Sequence, residues 1–160
     1  MLKIAQKIKN GECPVLCFFG DSITDGQFEF ANGHKESVRH EEWVFWNILR
    51  NRIREEIGQE VSIVNAGVGG NFSKDGLARL DYRMTWEDAF LARIQQDDLE
   101  RKPDFCCVMF GTNDVTNAYK GDSALQEYEK NMEQILIRLR ESNIETVLMT
   151  PGMLCKHRVK

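Results

Sequence analysis

The sequence predicts an α/β protein in which helices cover both faces of a parallel β-sheet. Short, uninterrupted apolar runs alternate along the chain with segments whose apolar residues recur every three or four positions, which is the pattern of alternating strands and helices. Glycine-rich segments also follow directly after three of the apolar runs. The alternation implies right-handed β-α-β crossovers and therefore parallel strands between two helical layers.

Two helices and two strands are predicted in the first half of the chain. Residues 2–9 can form a short helix, and residues 15–19 are a continuous apolar run, too short for a helix and typical of a strand buried on both faces. Residues 41–56 have the periodicity of an amphipathic helix, and residues 61–64 are the second strand. The recurring apolar residues of the helix are Trp46, Leu49, Ile53 and Ile57.

The second half continues the alternation. Residues 75–100 are mostly compatible with helix, and residues 105–110 form a third buried strand. A capping-box pattern that starts at Ser123 begins a second amphipathic helix over residues 123–142. Residues 146–149 are a fourth strand, which ends before a Pro-Gly pair. These elements predict one domain over residues 1–160, a three-layer α/β/α sandwich of the flavodoxin-like type.

The composition is typical of a soluble globular protein. Of the 160 residues, 42% are hydrophobic and 29% are charged, and no biased tract indicates a linker. The formal net charge of -4 argues against nucleic acid as a partner, because phosphate binding needs a clustered basic surface. The chain has neither an 18-residue apolar run nor a signal-peptide core, so we expect no membrane partner and a cytoplasmic location.

The cysteines do not indicate a metal or redox site. They form an odd set without C-x-x-C spacing, and three of them lie in or beside apolar runs, so we interpret them as reduced thiols that pack as small hydrophobes. No metal-ligand constellation is visible, and we expect no metal and no cofactor. The five residues are Cys13, Cys17, Cys106, Cys107 and Cys155.

Three polar, glycine-rich segments follow the first three predicted strands. They are residues 20–24 (GDSIT), 65–71 (NAGVGGN) and 111–114 (GTND). Ligands of an open parallel sheet bind outside the carboxyl ends of its strands, where these segments would meet. We therefore expect Ser22, Gly70 and Asn113 to surround one pocket.

The residue types in these segments suit acyl transfer. A serine becomes an effective nucleophile when a sharp turn exposes it and a base accepts its proton, and Ser22 follows such a turn. The backbone N–H groups of Ser22 and Gly70 and the side-chain amide of Asn113 could stabilise an oxyanion. Each residue alone has an ordinary structural role in a cap or turn. Their joint occurrence after three successive strands favours a catalytic site.

In this order, the three segments resemble the sequence blocks of GDSL/SGNH hydrolases, the lipase-like and acylhydrolase-like esterases. Residues 76–80 (GLARL) also resemble the stretch that follows the second block. The resemblance implies hydrolysis of carboxylic esters, including O-acetyl groups on carbohydrates, by acyl-enzyme formation at Ser22. It also implies an oxyanion hole built from Ser22, Gly70 and Asn113. The supporting loop positions are Asp21, Gly111 and Asp114.

The last block of this family, Asp-x-x-His on a loop after a fifth strand, has no counterpart in the sequence. His157 is the only late histidine, but Leu154 occupies the position of the aspartate. His34 and His40 precede the long helix, where surface or substrate contacts are expected rather than general base catalysis. We therefore expect a C-terminal strand and helix to be missing, and the fourth strand to form an apolar edge through which the chain could form homo-oligomers.

Other interpretations were weighed against the esterase. A non-catalytic binding module, or a truncated inactive fragment, would keep the oxyanion pocket without a base. A nucleotide or phosphate binder that uses the glycine turns as anion nests is disfavoured, because neither G-x-G-x-x-G nor G-x-x-x-x-G-K-[ST] occurs. An α/β-hydrolase is disfavoured because Ser22 does not complete a G-x-S-x-G motif.

Overall fold

The computed structural model describes residues 2–28, 38–81, 103–115 and 121–152. Its strands are β1 (Val15–Gly20), β2 (Gln27–Phe28), β3 (Val38–Arg39), β4 (Ser62–Gly67), β5 (Phe105–Met109) and β6 (Glu145–Leu148). Its helices are α1 (Lys3–Lys9), α2 (Ser22–Asp25), α3 (Phe45–Ile57), α4 (Ser73–Asp81) and α5 (Asp122–Glu141), with a 3₁₀ turn at Glu41–Trp43.

The main sheet is parallel and has the order β4-β1-β5-β6. Gly20, the last residue of β1, lies opposite Gly67 of β4 and Met109 of β5. The carboxyl ends of these three strands are therefore level, with β1 in the middle. Every residue of β1 and β5 is buried, which confirms the prediction that these runs are covered on both faces.

Helices cover the sheet on both sides, which confirms the predicted α/β/α layers. Phe18 and Phe19 show the arrangement, because neighbouring strand residues point to opposite faces and these two belong to different hydrophobic clusters. The Phe19 cluster includes Leu80 of α4 and Met132, Ile135 and Leu139 of α5. The Phe18 cluster includes Ile4 and Ile8 of α1 and Trp46 and Ile53 of α3.

Two acidic side chains fasten α1 to the sheet. The carboxylate of Glu145 accepts hydrogen bonds from the backbone N–H groups of Lys3 and Ile4, both at 2.8 Å, and so caps the N-terminus of the helix. Asp104 accepts from Lys7 Nζ at 2.7 Å and from the Val15 N–H at 2.8 Å. Residue 2 gives α1 no side-chain cap, so the capping comes from the opposite end of the sequence.

Several predicted boundaries differ from the structure. Val44 is buried and extended, so the predicted helix over residues 41–56 is divided into the 3₁₀ turn and α3. Trp46 and Ile53 are buried as expected, but Leu49 and Ile57 are 40% and 47% exposed. The predicted capping box is wrong: α5 begins at Asp122 after Gly121, without a side-chain cap. Only residues 75–81 of the predicted helical stretch 75–100 lie within the described ranges.

Four of the five cysteines lie in the described ranges, and all four are free thiols. Cys17, Cys106 and Cys107 are buried, but Cys13 is exposed, so packing as a small hydrophobe applies to three of them. Burial raises the pKa of Cys107 to about 11, and a hydrogen bond with Cys17, together with burial, raises the pKa of Cys106. These buried thiols are therefore poor nucleophiles.

The outer face of the sheet at β6 is the predicted edge. Within the described ranges β6 pairs with β5 alone, and Leu148 is 48% exposed. The residues that follow, 153–160, lie outside those ranges. Across the described residues, no helix combines the length and apolarity that a membrane span requires.

Gly76 provides a test of the packing between α4 and the sheet. A Cβ atom at this position would lie 2.5 Å from Cζ of Phe110, whose buried ring packs edge-on against Phe19. Alanine normally stabilises a helix relative to glycine by about 1 kcal/mol. We expect Gly76→Ala instead to lower the free energy of unfolding by about 1–3 kcal/mol, because the core must shift. Urea denaturation measures this.

Gly152 supplies the control for that experiment, because no atom lies within 4 Å of a Cβ placed there. Gly152→Ala should change the free energy of unfolding by no more than about 0.5 kcal/mol. A Gly76→Ala protein as stable as the wild type would show that α4 does not pack closely on Phe110.

Candidate active site

The first turn of the candidate site joins β1 to α2. A Cβ on Gly20 would collide with Oγ1 of Thr24 and with the carbonyl oxygen of Met109, so only glycine allows this tight passage. Asp21 is the N-cap of α2 and accepts a hydrogen bond from the Ile23 N–H at 3.0 Å. Ser22 is the first residue of α2 and is half-buried. The serine is thus presented at the carboxyl end of the central strand.

The second turn follows β4 and contains Gly69 and Gly70. Gly70 has φ of 76°, and nothing lies within 4 Å of a Cβ placed there, so the left-handed backbone rather than space favours glycine. A Cβ on Gly69 would lie 2.5 Å from Nε2 of Gln27. Asn65 braces the end of β4, because its Oδ1 accepts from the Gly67 N–H at 3.0 Å.

The third turn follows β5 and is bonded directly to the second. Nδ2 of Asn113 donates to the carbonyl oxygen of Asn71 at 2.8 Å. The carboxylate of Asp114 accepts from the backbone N–H of Ser73 at 3.0 and 3.1 Å, and from its hydroxyl at 2.5 Å. Residues 71–73 therefore hold both Asn113 and Asp114, and the predicted convergence of these two segments is confirmed.

Arg79 of α4 joins the first turn to the second. Its guanidinium donates to the carbonyl oxygens of Ala66 at 3.1 Å and Gly20 at 3.3 Å, and stacks over the Phe19 ring at 4.7 Å. The Val68 N–H also donates to the Gly20 carbonyl, at 3.1 Å. Sequence reasoning included Arg79 only in the stretch resembling the second block and gave it no role.

A second set of polar contacts, also missed from the sequence, centres on Asp25. Its side chain is 3% exposed, and Oδ2 accepts from Nη2 of Arg39 at 2.7 Å and from Nε2 of Gln27 at 2.8 Å. These bonds join the end of α2 to the β2–β3 pair. Since Gln27 also lies against Gly69, Asp25 supports the second turn. The local signal was only one more acid in a polar segment.

With the three turns and their ties described, the comparisons with known proteins can be interpreted. The family model described as GDSL-like Lipase/Acylhydrolase matches residues 16–157. The chain belongs to this family. It is 33% identical over 135 residues to a protein named Uncharacterized lipoprotein YqeF from Bacillus subtilis (strain 168), a match that covers 82% of this chain and 46% of that protein.

Esterases are among the other similar proteins. The chain is 29% identical over 153 residues to an Acetylxylan esterase of Geobacillus stearothermophilus, covering 91% of this chain and 62% of the enzyme. The SGNH-hydrolase family esterase AlinE4 superposes with a TM-score of 0.59 at 27% identity, over 89% of this chain and 60% of AlinE4. The chain therefore spans about half to two-thirds of the length of these relatives.

Family membership gives the three turns a chemical context, although the individual roles stay predictions. Ser22, Gly70 and Asn113 each lie in a turn at the same edge of the sheet. Gly111, in the third turn, has φ of 129°, and a Cβ there would approach Pro151 Cγ to 3.0 Å. Within the described ranges, no group of three or more histidine, cysteine or acidic side chains could hold a metal ion.

The candidate bases are not gathered at the site by the described part of the chain. His40 precedes the 3₁₀ turn, and its ring stacks on Trp43 with centroids 4.3 Å apart. Its Nδ1 lies 3.8 Å from a carboxylate oxygen of Glu42. His34 and His157 lie outside the described ranges. The general base is thus the one component of the chemistry that none of the three turns supplies.

Asp21 is the most electrostatically perturbed carboxyl group of the described turns. It is fully buried, and burial raises its pKa. The Ile23 N–H and the nearby Thr112 side chain oppose this shift, whereas the negative charge of Asp114 adds to it. Oδ2 of Asp21 and Oγ1 of Thr112 are buried without a well-oriented hydrogen-bond partner among the described residues. The ionised form of Asp21 is therefore only partly stabilised.

This shift predicts a pH-dependent effect of Asp21→Asn. The folded pKa lies above the ordinary 3.8, so the carboxyl favours folding fully below pH 3.8 and loses that contribution as pH rises through the folded pKa. Asparagine does not ionise and can still accept from the Ile23 N–H. We expect the variant to melt at a higher temperature than the wild type at neutral pH, and the difference to shrink in acid.

Calorimetry over a pH series measures the effect, with Asp122→Asn as the control. Asp122 is exposed in the first turn of α5, so the control should not gain stability at neutral pH. An Asp21→Asn protein that is less stable than the wild type at neutral pH would mean that the ionised carboxylate is stabilised by contacts stronger than its burial.

Proposed function

We propose that the chain carries the nucleophile and oxyanion side of a serine esterase that removes acetyl groups from carbohydrates. The observation that carries the proposal is the hydrogen bond from Nδ2 of Asn113 to the Asn71 carbonyl. It ties the third turn to the second, while Arg79 ties the second to the end of β1 beside Ser22. The residue types needed for acyl transfer thus belong to one braced edge of the sheet.

The proposed reaction is a two-step acyl transfer. Oγ of Ser22 attacks the acyl carbon and gives its proton to a general base, and the carbonyl oxygen becomes an oxyanion. The N–H groups of Ser22 and Gly70 and the amide of Asn113 donate to that oxyanion. Collapse of the tetrahedral intermediate expels the sugar hydroxyl and leaves an acetyl-enzyme. Water then attacks the same carbon, and acetate and free Ser22 are released.

Two lines support an acetylated carbohydrate as the substrate. Two similar proteins are named as an acetylxylan esterase and an acetyl-xylooligosaccharide esterase. In this chain, Trp43 is 51% exposed and stacks on His40. The His40 N–H donates to the Gly26 carbonyl at 3.2 Å, so the aromatic pair lies just beyond the helix that starts with Ser22. An exposed indole offers a flat apolar face against which a sugar ring can pack.

The absence of Asp-x-x-His from the sequence favours a second candidate, a non-catalytic binding module. Such a protein would hold an acyl or carboxylate oxygen at the three turns without turning over an ester. The two candidates differ in the reactivity of Ser22, because a binding module does not require this hydroxyl to form a covalent bond. As part of the same proposal, we place the protein in the cytoplasm; one similar protein, however, is named as a lipoprotein.

Ser22 and Asn113 provide the direct test of the reaction. Without an internal base we expect slow hydrolysis of p-nitrophenyl acetate, lower by roughly 10²–10⁴ than with general base help, and we expect added imidazole to accelerate it. Ser22→Ala should remove all turnover above that of imidazole alone. Asn113→Ala should reduce the Ser22-dependent rate by about 10²–10³, because one oxyanion donor is lost.

Steady-state kinetics over an imidazole series, with mass spectrometry of the acetylated serine, supply the measurements. Fast turnover without imidazole would mean that His34, His40 or His157 already acts as the base. A wild-type rate equal to that of Ser22→Ala at every imidazole concentration, with no acetylated Ser22, would favour the binding module over the esterase.

Trp43 tests the substrate class separately. We expect Trp43→Ala to raise KM for an acetylated xylooligosaccharide by up to about tenfold, equivalent to ~1.4 kcal/mol, and to leave KM for p-nitrophenyl acetate unchanged, because only the sugar reaches the indole. Ile57→Ala is the matched control, since Ile57 is 47% exposed at the other end of α3. Equal effects of Trp43→Ala on both substrates would exclude a sugar subsite at this position.

A further inference from the structure

The packing between α4 and α5 contains a buried polar pair within an otherwise apolar surface. Asn131 of α5 is 8% exposed and is followed by Met132, which belongs to the hydrophobic core. Ser73, the first residue of α4, is fully buried. Nδ2 of Asn131 donates to Oγ of Ser73 at 3.1 Å. Burying two polar side chains costs free energy unless both are hydrogen-bonded, so their pairing requires explanation.

The pair continues into the third turn. The Ser73 hydroxyl donates to Oδ1 of Asp114 at 2.5 Å, so a chain of side-chain hydrogen bonds runs from Asn131 through Ser73 to Asp114. A serine hydroxyl has one proton to give. The N–H donated by Asn131 occupies the acceptor side of that hydroxyl and leaves its proton directed at the carboxylate. Asn131 thus determines the orientation of a rotor that would otherwise be free to turn.

The same chain reaches the predicted oxyanion donor. Asp114 is the neighbour of Asn113, whose amide is held by the carbonyl of Asn71. Ser73 and Asn71 belong to one short segment at the start of α4. A change in the bond between Ser73 and Asp114 would therefore alter the placement of the third turn relative to the second, and with it the direction of the Asn113 amide.

We propose that Asn131 and Ser73 are positioning residues for the oxyanion donor Asn113, acting through Asp114. This inference rests on the proposed esterase function. Oxyanion stabilisation depends on donors that are already in place when charge develops, and small displacements of such groups are expensive in rate. Asn131 touches neither the substrate nor Ser22, and its effect is confined to the orientation of the amide.

Asn131→Asp is the sharpest variant, because it keeps the shape of the side chain and replaces a donor by an acceptor. The Ser73 hydroxyl would then lie between two carboxylates with a single proton to share. We expect kcat for p-nitrophenyl acetate, measured with imidazole, to fall roughly 10- to 100-fold while KM is unchanged. Ser73→Ala removes the hydroxyl without adding charge and should give a loss in the same range.

Asn51→Asp on α3 is the matched control. Asn51 is half-buried and accepts a hydrogen bond from Arg54, a bond that an aspartate can also accept, so kcat should stay at the wild-type value. The double variant Asn131→Asp/Asn113→Ala separates positioning from general damage. If Asn131 acts through Asn113, Asn131→Asp should cause no further loss of rate once Asn113 is removed.

A nuclear magnetic resonance readout makes the outcome independent of catalysis. The side-chain amide signals of Asn113, assigned by their loss in Asn113→Ala, should shift in Asn131→Asp and Ser73→Ala but not in Asn51→Asp. If the wild type shows no Ser22-dependent turnover, the proposed function fails, and these signals still decide the positioning role. Unchanged Asn113 signals in both folded variants, or an equal rate loss with and without Asn113, would overturn the inference.

Discussion

The carbonyl oxygen of Gly20, at the end of the central strand, accepts hydrogen bonds from the Val68 N–H and from Arg79. Both bonds depend on close backbone approach. A Cβ on Gly20 would collide with Thr24, and one on Gly67 would collide with the backbone of Asp25. Glycine at both strand ends lets α2 sit directly on the sheet edge, and the placement of all three turns follows from that contact.

Gathering polar groups at this edge has a cost in stability, which the structure offsets unevenly. Asp25 is compensated by two donors, and Asp114 by the backbone and hydroxyl of Ser73. Asp21 has one printed backbone donor and a buried oxygen without a partner among the described residues. Preorganised donors require such burial, because a polar group fixed before the reaction is a group withdrawn from water. The cost falls mainly on the residue that positions Ser22.

Much of this architecture could be predicted because its signals are local. The apolar runs at residues 15–19 and 105–110 needed no distant partner to be recognised as buried strands, and the glycine-rich segments after them indicated the site edge. The cap that Glu145 gives α1 and the bonds made by Arg79 and Asn131 could not be predicted. They join residues far apart in sequence, and each partner alone is compatible with a solvated helix face. Strand order was equally inaccessible, because apolar pattern does not specify neighbours.

The division of labour at this edge explains why the oxyanion side can be built without the base. Ser22, Gly70 and Asn113 follow β1, β4 and β5, which are mutual neighbours in the sheet, so their turns are fixed by main-chain pairing and by the ties described above. In the family that the chain resembles, the Asp-x-x-His block follows a strand beyond the fourth, which would lie on the far side of β6. Oxyanion stabilisation and proton transfer therefore depend on different strands. Loss or displacement of the base should leave the polarity of the pocket, and its affinity for an acyl oxygen, largely intact.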